Sequence, residues 1–458
     1  MQIKFYRCHL IRIVVIYVPV SHNWLRRICE VGVMEKRWVR LRALAGRAFS
    51  PGAPVDEFKL FCGRTEQIKS LIKAVTSRGC HMVMYGQRGV GKTSLASMFK
   101  HIFEDFESMR FIKINCTKDD DFGDVWRRSF ESIPVLVEGG TPETRVPGRS
   151  TIEYNLSQFL PDEVGAGDIR RIIEQECDEG FEIVLVFDEF NVLDEDERAV
   201  FADTIKDLSD NSVAITLVLV GVANNILELL KEHESIERCL VQIAMPPMTQ
   251  DELTEIVDRA MTVMQMEIDE DARDLIVFLS RGFPHYTHLL GQESAFCAID
   301  RESRQISLQD VKGGIDGALK NTLVTTREAY HRATQAQRKG TLYGSVLLAC
   351  AMAHTDDRGF FSSTDVREPL RRITQTKYEI PAFSRHLKDF SEDEERGPVF
   401  ECTGKKRRAR YAFNNPLLRP YVILRGIREG VVVGDLLEEM GMSREAAREF
   451  QGLLPFPD

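Results

Sequence analysis

The segment from His81 to Leu95, HMVMYGQRGVGKTSL, places an apolar run directly before three spaced glycines, a lysine and a threonine. A short apolar run of this kind is typical of a buried β-strand, and the residues after the lysine have helical spacing. Glycines allow the positive φ angles and the close backbone approach with which a loop turns successive N–H groups inward. The segment therefore predicts a strand, an amide-lined loop and a helix, the arrangement that holds phosphate at a helix N-terminus.

This loop matches the pattern G-x-x-x-x-G-K-[ST] of phosphate-binding loops. We expect Lys92 to reach the β- and γ-phosphates of a nucleoside triphosphate and Thr93 to supply a ligand to Mg²⁺. The alternative is a chance match in a glycine-rich turn, but the flanking strand and helix favour the phosphate site. The residues expected to bind the nucleotide here are Gly86, Gln87, Arg88, Gly89, Val90, Gly91, Lys92, Thr93 and Ser94.

A later apolar run, IVLVF, leads directly into Asp188 and Glu189. Ligands of open α/β sheets bind at the edge where such strands end, so both acids are expected at the same site. We expect Asp188 to hold Mg²⁺ through its water shell and Glu189 to orient or deprotonate the attacking water. The acids could instead cap the next helix, but beside a phosphate loop they favour a hydrolase over a small-molecule kinase. The Asn-Lys-x-Asp motif of GTPases does not occur.

Five apolar runs alternate with helical segments between Phe61 and Pro246. Such alternation predicts an α/β fold, here a P-loop NTPase with a parallel sheet that is buried on both faces. The polar segment 137–155 is predicted to be a long inserted loop, functional or disordered. Residues 249–320 are predicted to be helical throughout. The five runs are CHMVMY, RFIKI, IVLVF, AITLVLVGV and CLVQIAM.

The sequence from 341 to 427 predicts three helices followed by two short strands around a basic turn, which describes a winged helix. The candidate recognition helix carries Ser384, Arg385, His386 and Lys388, and the turn GKKRRAR concentrates positive charge that could meet DNA phosphates. Alternatively, this unit contacts a protein, and the neighbouring run SEDEER would weaken attraction to DNA. The residues predicted to bind DNA are Arg385, Lys388, Lys405, Lys406, Arg407, Arg408 and Arg410.

The formal net charge of −10 argues against a protein that binds nucleic acid over its whole surface, but leaves room for a local basic patch. Ten scattered cysteines without a Cys-x-x-Cys pair are typical of a reducing cytoplasm. The apolar run Leu10–Val20 is shorter than the roughly 20 residues of a membrane span, so no membrane partner is expected. Residues 1–33 resemble either a weak signal peptide or a leader with Met34 as an alternative start, and we expect 1–57 to be poorly ordered.

Seven segments occur in an order that resembles the AAA+ ATPases of the replication-initiator type (origin-recognition and cell-division-control proteins) and the STAND-type NTPases. The resemblance covers about residues 58–425 and implies ATP and Mg²⁺ as ligands. It further implies an AAA+ core at 58–247, a helical lid at 248–330, a winged helix at 341–427 and a tail at 428–458. The segments are FCGRTEQI, GQRGVGKTSL, LVFDEF, LVGVANN, SIERCL, GFPHYTHLLG and the C-terminal unit.

The resemblance also implies roles for single residues. Phe61, Gly63 and Arg64 match the segment near the adenine. Asn224 matches the sensor-1 residue, with Asn225 as its competitor and a helix N-cap as the alternative role.

Two further positions concern the neighbouring subunit and the lid. Arg238 matches the arginine finger that completes the site of an adjacent subunit, although it could simply pair with Glu234 on the surface. His285 occupies the sensor-2 position, where many members have arginine, and it either contacts phosphate or only packs. A histidine there implies slow hydrolysis or a switch that is held by bound nucleotide.

Two functions remain open from the sequence. The first is an ATP-hydrolysing switch that assembles with its own copies or with other subunits and binds DNA through the winged helix. The second is a STAND-type regulatory or defence ATPase whose winged helix contacts a protein partner.

Overall fold

The computed structural model describes residues 36–55, 57, 59–103, 106, 109–137, 152–176, 182–222, 234–335, 341–356, 358–404, 408–432, 434–439 and 442–454. The strands are β1 (His81–Gly86), β2 (Met109–Asn115), β3 (Pro134–Val137), β4 (Ile152–Asn155), β5 (Glu182–Asp188), β6 (Ile215–Val222), β7 (Leu240–Ala244), β8 (Glu267–Ile268), β9 (Gln305–Ile306), β10 (Phe361–Ser362), β11 (Phe400–Thr403) and β12 (Arg410–Phe413).

Helices connect these strands and form most of the C-terminal half. The first six are α1 (Lys36–Ala48), α2 (Thr65–Val75), α3 (Lys92–Ile102), α4 (Phe122–Glu131), α5 (Ala166–Glu176) and α6 (Glu195–Asp210). The next five are α7 (Gln250–Met264), α8 (Glu270–Ser280), α9 (Pro284–Asp300), α10 (Leu308–Asn321) and α11 (Val324–Thr334). The last six are α12 (Tyr343–Met352), α13 (Ser363–Thr374), α14 (Ile380–Glu392), α15 (Leu418–Arg428), α16 (Gly434–Glu439) and α17 (Arg444–Gly452).

The five apolar runs form one parallel sheet in the order β2-β5-β6-β1-β7, which confirms the predicted α/β class. Neighbouring residues of one strand point to opposite faces, and both faces are covered. Met82 and Met84 of β1 belong to one buried cluster, whereas Val83 between them belongs to the other. This double burial is the reason that the strands are continuously apolar. Because all five run in parallel, β1 and β5 end at the same edge of the sheet.

The N-terminal segment corrects one expectation. Within 1–57, which we expected to be poorly ordered, residues 36–48 form α1, and this helix packs against α7 and α9. Its apolar stripe of Trp38, Leu41 and Ala45 is buried, while Arg42 pairs with Asp300 of α9 at 2.6 Å. The helix therefore has an apolar face that the helical region covers. Residues 1–35 lie outside the described residues.

The region after the sheet is helical, as predicted, with α7–α10 joined only by the short parallel pair β8 and β9. The C-terminal unit contains α12, α13 and α14 with a three-stranded sheet in the order β10-β12-β11, whose pairs are antiparallel. Of the predicted inserted loop 137–155, β3 and β4 pair as an antiparallel hairpin, and 138–151 lie outside the described residues. In the described part of the chain, no helix combines the length and apolar character needed to cross a membrane.

Candidate nucleotide site

The loop between β1 and α3 has the backbone geometry that its glycines permit. Gly89 and Gly91 have φ angles of 83° and 94°, in the left-handed region that residues with a side chain rarely adopt. A Cβ atom at Gly89 would also lie 2.6 Å from a methyl group of Leu417. The strand, loop and helix follow one another as the sequence predicts, and the loop ends at the N-terminus of α3.

Lys92 is held inside the turn of this loop. Its Nζ donates hydrogen bonds to the carbonyl oxygens of Gly86 and Gln87, at 2.9 and 2.8 Å. Burial lowers the pKa of Lys92 to about 8, against the opposing attraction of Asp188. An anion at the helix N-terminus would favour the charged ammonium, because opposite charges attract strongly where water is excluded.

Asp188 is buried at the end of β5 and faces Thr93. Its Oδ1 accepts hydrogen bonds from Thr93 Oγ1 at 3.4 Å and from the backbone N–H of Glu189 at 3.0 Å. Its Oδ2 pairs with Lys113 Nζ at 2.9 Å. Thr93 Oγ1 and Asp188 Oδ1, 3.4 Å apart, are oxygen ligands of the kind that Mg²⁺ prefers. The ion would complete its coordination shell with water and substrate phosphates. Among the described residues there is no group of three or more His, Cys, Asp or Glu that could hold a metal by itself.

Lys113 is a contributor to the site that the sequence analysis did not identify. It lies in β2, with its Nζ also 3.3 Å from Ser97 Oγ of α3. The available signal was a lysine between the two isoleucines of the run RFIKI. Only the pairing of β2 with β5 reveals that this lysine meets Asp188.

Glu189 follows Asp188 and is exposed, with its backbone in the left-handed region at φ 58°. This conformation costs a residue with a side chain about 1 kcal/mol, and it turns the chain sharply at the end of β5. The next turn is fixed by Asn191, whose Oδ1 accepts the backbone N–H of Val222 at 2.7 Å. Asn191 therefore joins the ends of β5 and β6 beside the acids.

One cavity of about 440 Å³ brings most of these groups together. The predicted residues that line it are Phe61, Arg64, Arg88, Gly89, Gly91, Lys92, Thr93, Ser94, Asp188, Glu189 and His285. Gly86, Gln87, Val90 and Gly63 are not in the lining. Several parts of the wall were not predicted, among them the segment Ser50–Val55, the end of β6 at Gly221 and Val222, and His288. Ser50–Val55 contains two prolines and a glycine, yet the backbone N–H of Val55 donates to Ser94 Oγ at 3.2 Å.

Arg64 links the adjoining segment to the phosphate loop. Its buried guanidinium donates from Nη2 to the carbonyl of Val90 at 2.7 Å, and its backbone N–H donates to Glu252 of α7 at 2.8 Å. The backbone N–H of Gly63 donates to Glu255 at 3.2 Å. A Cβ at Gly63 would approach Glu252 Oε1 to 2.7 Å, so only glycine lets the chain pass this close to α7.

His285 lies at the N-terminus of α9, with its Nδ1 2.9 Å from the carbonyl oxygen of Pro51. Burial lowers the pKa of His285, and the nearby Arg88 charge lowers it further. The ring is therefore neutral at pH 7, and Nδ1 carries the proton that it donates to Pro51. His288, one helical turn on, is buried as well, and burial lowers its pKa to about 4.

The remaining predicted residues either lie away from this cavity or lie outside the described residues. Arg238 is 70% exposed in the 3₁₀ helix Glu234–Cys239 and pairs with Asp210. The side chain of Glu234, its alternative partner, lies outside the described part of the chain. Arg238 is not in the lining of the cavity. Asn224 and its competitor Asn225 lie outside the described residues.

The predicted DNA-binding residues that are described all lie on the C-terminal unit. Arg385 and Lys388 are exposed on α14, and each pairs with an acid one turn later at 3.7 and 3.5 Å. Arg410 pairs with Asp356 at 3.1 Å and donates to the carbonyl of Phe360. Arg408 is exposed, whereas Lys405, Lys406 and Arg407 lie outside the described residues.

The buried histidines predict a decline of stability in acid. His81 of β1 is fully buried, accepts the backbone N–H of Leu217 at Nδ1, and burial lowers its pKa to about 4. The pKa of His81 is lower in the folded state than its unfolded value of about 6.5, so the neutral ring adds to the free energy of unfolding above pH 6.5. This contribution is lost as the pH falls towards 4. We expect His81 to account for about 3 kcal/mol of that loss. The free energy of unfolding should be measured in urea between pH 6.5 and 4. It should change less with pH in His81→Asn than in wild type or in the exposed control His101→Asn. An equal change in His81→Asn and wild type would contradict the prediction.

The family model described as Novel STAND NTPase 1 (nSTAND1) matches residues 53–372, more than half of the chain. The chain belongs to this family. The matched region of this STAND NTPase includes the phosphate loop, both acids, Arg238 and His285. A nucleotide-binding ATPase fold is thus supported by both the family and the parallel sheet. None of the curated proteins compared with the chain matches it.

Three solved structures illustrate what the chain is similar to, each with a TM-score below 0.5. Cdc6p from Pyrobaculum aerophilum is 17% identical, covers 84% of this chain and 99% of its own, and has a TM-score of 0.43. The Aeropyrum pernix ORC1 protein in complex with DNA is 15% identical, with 85% and 96% covered and a TM-score of 0.43. RuvB, the Holliday junction branch migration motor of Thermotoga maritima, is 16% identical, with 78% and 95% covered and a TM-score of 0.40. At such identities and TM-scores, nothing about the activity of this STAND NTPase follows from them.

Proposed function

We propose that this chain is a molecular switch that binds ATP with Mg²⁺ in the 440 Å³ cavity and hydrolyses it slowly. The observation that carries the proposal is the convergence of Lys92, Thr93, Asp188 and Glu189 on that cavity. A cavity of this volume is within the usual range for small ligands and cofactors. We propose ATP and not another triphosphate because the motifs resemble those of the AAA+ and STAND families.

Each of these residues has a defined task in the proposed reaction. Lys92 and the loop amides bind the phosphates and stabilise the charge that develops on them. Thr93 and Asp188 would hold Mg²⁺, which neutralises phosphate oxygens when bound. Glu189 orients the attacking water and accepts its proton.

Slow hydrolysis is proposed because the lid supplies a neutral histidine at the position where many AAA+ members have an arginine. His285 is neutral at pH 7 and is engaged by the carbonyl of Pro51. It therefore adds no full positive charge at the γ-phosphate, where an arginine would. Asn224 is proposed as the polar residue that contacts the γ-phosphate or the water.

The proposed domain organisation has an ATPase core at 58–247, a helical lid at 248–330, a winged helix at 341–427 and a tail at 428–458. The winged-helix assignment is supported by the order helix, strand, two helices and hairpin from α12 to β12. We further propose a cytoplasmic location, because the scattered cysteines of the sequence are typical of a reducing compartment.

The C-terminal unit touches the phosphate loop, which supports a role in switching. Gln87 Nε2 donates to the carbonyl of Arg358 at 2.7 Å, and Leu417 lies against Gly89. Tyr286 of the lid donates its hydroxyl to the carbonyl of Leu417 at 2.8 Å. Nucleotide in the loop would therefore bias the position of the C-terminal unit.

ATP-dependent assembly through Arg238 is the direct test of the switch. With ATP, the wild-type protein should elute from a size-exclusion column as a larger species than with ADP. Arg238→Ala should elute with ATP as wild type does with ADP, because the variant lacks the exposed guanidinium that would reach the nucleotide of a neighbouring subunit. Lys206→Ala, which removes an exposed cation from α6, is the matched control and should assemble normally. Identical elution of wild type under both nucleotides would contradict the switch.

A second activity, DNA binding by the C-terminal unit, is favoured by the exposed cations on α14. The side chains of Arg385 and Lys388 are 84% and 68% exposed, so both can reach phosphates. Their pairing with acids of the same helix is weak at such exposure. The alternative output is a protein partner that binds the same unit.

Charge reversal on α14 distinguishes the two outputs. Arg385→Glu with Lys388→Glu should weaken binding to duplex DNA by at least about tenfold and reduce the slope of log affinity against log salt by about 2. The matched control, Lys69→Glu with Lys73→Glu, reverses two exposed cations of α2 and should leave binding unchanged. Equal DNA retention by all three proteins in a gel shift would reject this surface and leave the protein partner.

A further inference from the structure

A second cavity, of about 270 Å³, reaches the phosphate loop at Gln87 and shares Met248 with the lining of the nucleotide cavity. Three parts of the chain enclose it: the loop through Gln87, the helical region through α7 and α8, and the C-terminal unit through β12 and α15. Its apolar wall includes Leu253, Phe278 and Phe413. Two arginines, Arg281 and Arg419, share the same wall.

Arg281 has no acidic partner in the part of the chain that the structure describes. It follows the last residue of α8 with φ 51°, in the left-handed region, and Gly282 continues the turn at φ 85°. Its guanidinium carbon lies 5.6 Å from the centre of the Phe278 ring. Within the described ranges, no carboxylate lies within 4.0 Å of this guanidinium, and no hydrogen bond of its side chain is formed. Burial lowers the pKa of Arg281.

Arg419 is the second cation, and among the described residues its guanidinium donates hydrogen bonds to neutral acceptors. Its guanidinium donates to the carbonyl oxygens of Ala351 and Ala353 at 2.8 and 2.7 Å, and to Thr355 Oγ1 at 3.1 Å. Burial, together with the nearby charge of Arg281, lowers the pKa of Arg419 to about 9. Arg419 is thus fixed by the protein but not neutralised by it.

The acid on the cavity wall, Asp356, is already engaged. Its Oδ1 accepts the backbone N–H groups of Arg358 and Phe360 at 3.0 and 2.8 Å, and its Oδ2 pairs with Arg410 at 3.1 Å. The charge of Arg410 therefore balances that of Asp356. Both guanidinium groups are half-buried at the cavity wall, and neither pairs with a carboxylate among the described residues. Charges withdrawn from water in this way are normally paired, so the two cations mark a place for an anion.

We propose that this cavity binds a small organic anion, a carboxylate or phosphate monoester on an apolar body. Arg281 binds the charged group in fork geometry, as guanidinium groups do with carboxylate and phosphate. Phe278 and Phe413 pack against the apolar body, and the volume suits a ligand smaller than a typical drug. Because Gln87 belongs to the phosphate loop, the bound anion touches all three parts and stabilises their packing. The cations of this site do not line the nucleotide cavity, and the proposal does not depend on the proposed function.

The test uses phenyl phosphate and phenylacetate as probes and benzyl alcohol as the uncharged probe. Calorimetric titration of the full chain should show binding of at least one charged probe in the range of about 0.1–10 mM, as expected for so few heavy atoms. Arg281→Gln should weaken that binding by at least about tenfold, the loss expected for a charge-assisted pair. Arg281→Lys should weaken it less, because the charge is kept. Which charged probe binds more tightly distinguishes a phosphate ligand from a carboxylate ligand.

Two controls separate this site from the phosphate loop and from general charge effects. Lys92→Met should bind the charged probe within about twofold of wild type, because the site does not use the loop lysine. Arg304→Gln, which removes a cation from the surface between α9 and α10, should also bind normally. Equal binding by Arg281→Gln and wild type, or loss of binding in Lys92→Met, would overturn the proposal. So would equal affinity for benzyl alcohol and the charged probes, or no binding of either charged probe to wild type.

Discussion

Replacing Lys92 with methionine is expected to weaken the binding of Mg²⁺-ATP by at least about 100-fold, which corresponds to about 2.7 kcal/mol. The ammonium group is positioned by the carbonyl oxygens of Gly86 and Gln87 and lies at the start of α3, where the loop amides converge. Methionine keeps the length of the side chain but removes the charge. The loss combines a charge-assisted hydrogen bond to phosphate with attraction across a site from which water is largely excluded.

The measurement is equilibrium titration with a fluorescent ATP analogue. Lys100→Met is the matched control, since Lys100 lies on the same helix and is exposed in its last turn. This control should bind ATP as wild type does. The two carbonyl oxygens that Lys92 satisfies are left to water in Lys92→Met, so thermal unfolding must show that the variant is folded. A folded Lys92→Met that binds ATP with wild-type affinity would remove the basis of the proposed function.

Local patterns were sufficient for much of the fold and the site. The five strands are continuous apolar runs because both faces of the sheet are covered, and burial of that kind is visible in the sequence itself. Lys92 and Asp188 were predictable because the glycine-rich loop joins Lys92 to the end of β1 and Asp188 is the last residue of β5. The sequence alone could therefore place two distant segments at one edge of a sheet that it had not yet ordered.

Contacts between distant segments were not predictable in this way. Lys113 meets Asp188 only because β2 is the neighbour of β5, and the strand order is a property of the whole sheet. Ser50–Val55 contains prolines and glycine that break a helix, and nothing local indicates that this segment lines the cavity. Gln87 shares the loop with Lys92 yet contacts Arg358, because the C-terminal unit packs against the outer side of the loop.

The second large effect concerns the chemical step. Glu189→Gln should lower the rate of ATP hydrolysis by at least about 100-fold, the lower end of what a general base contributes. The amide keeps the size of the side chain but cannot accept the proton of the attacking water. ATP affinity should stay within about threefold of wild type, because Glu189 is exposed at the cavity wall and the binding charges lie on Lys92 and the loop amides.

Asp188→Asn provides the contrasting variant. Asp188 is buried and offers its oxygens towards Thr93, so its loss should reduce the dependence of ATP affinity on Mg²⁺ as well as the rate. Asp194→Asn is the matched surface control, since Asp194 is exposed and its side chain makes no capping hydrogen bond to α6. Titration of ATP with and without Mg²⁺, together with phosphate release, separates the three variants. If Glu189→Gln hydrolyses ATP at the wild-type rate, the base is another residue. If Asp194→Asn is as slow as Glu189→Gln, the effect is one of surface charge and not of proton transfer.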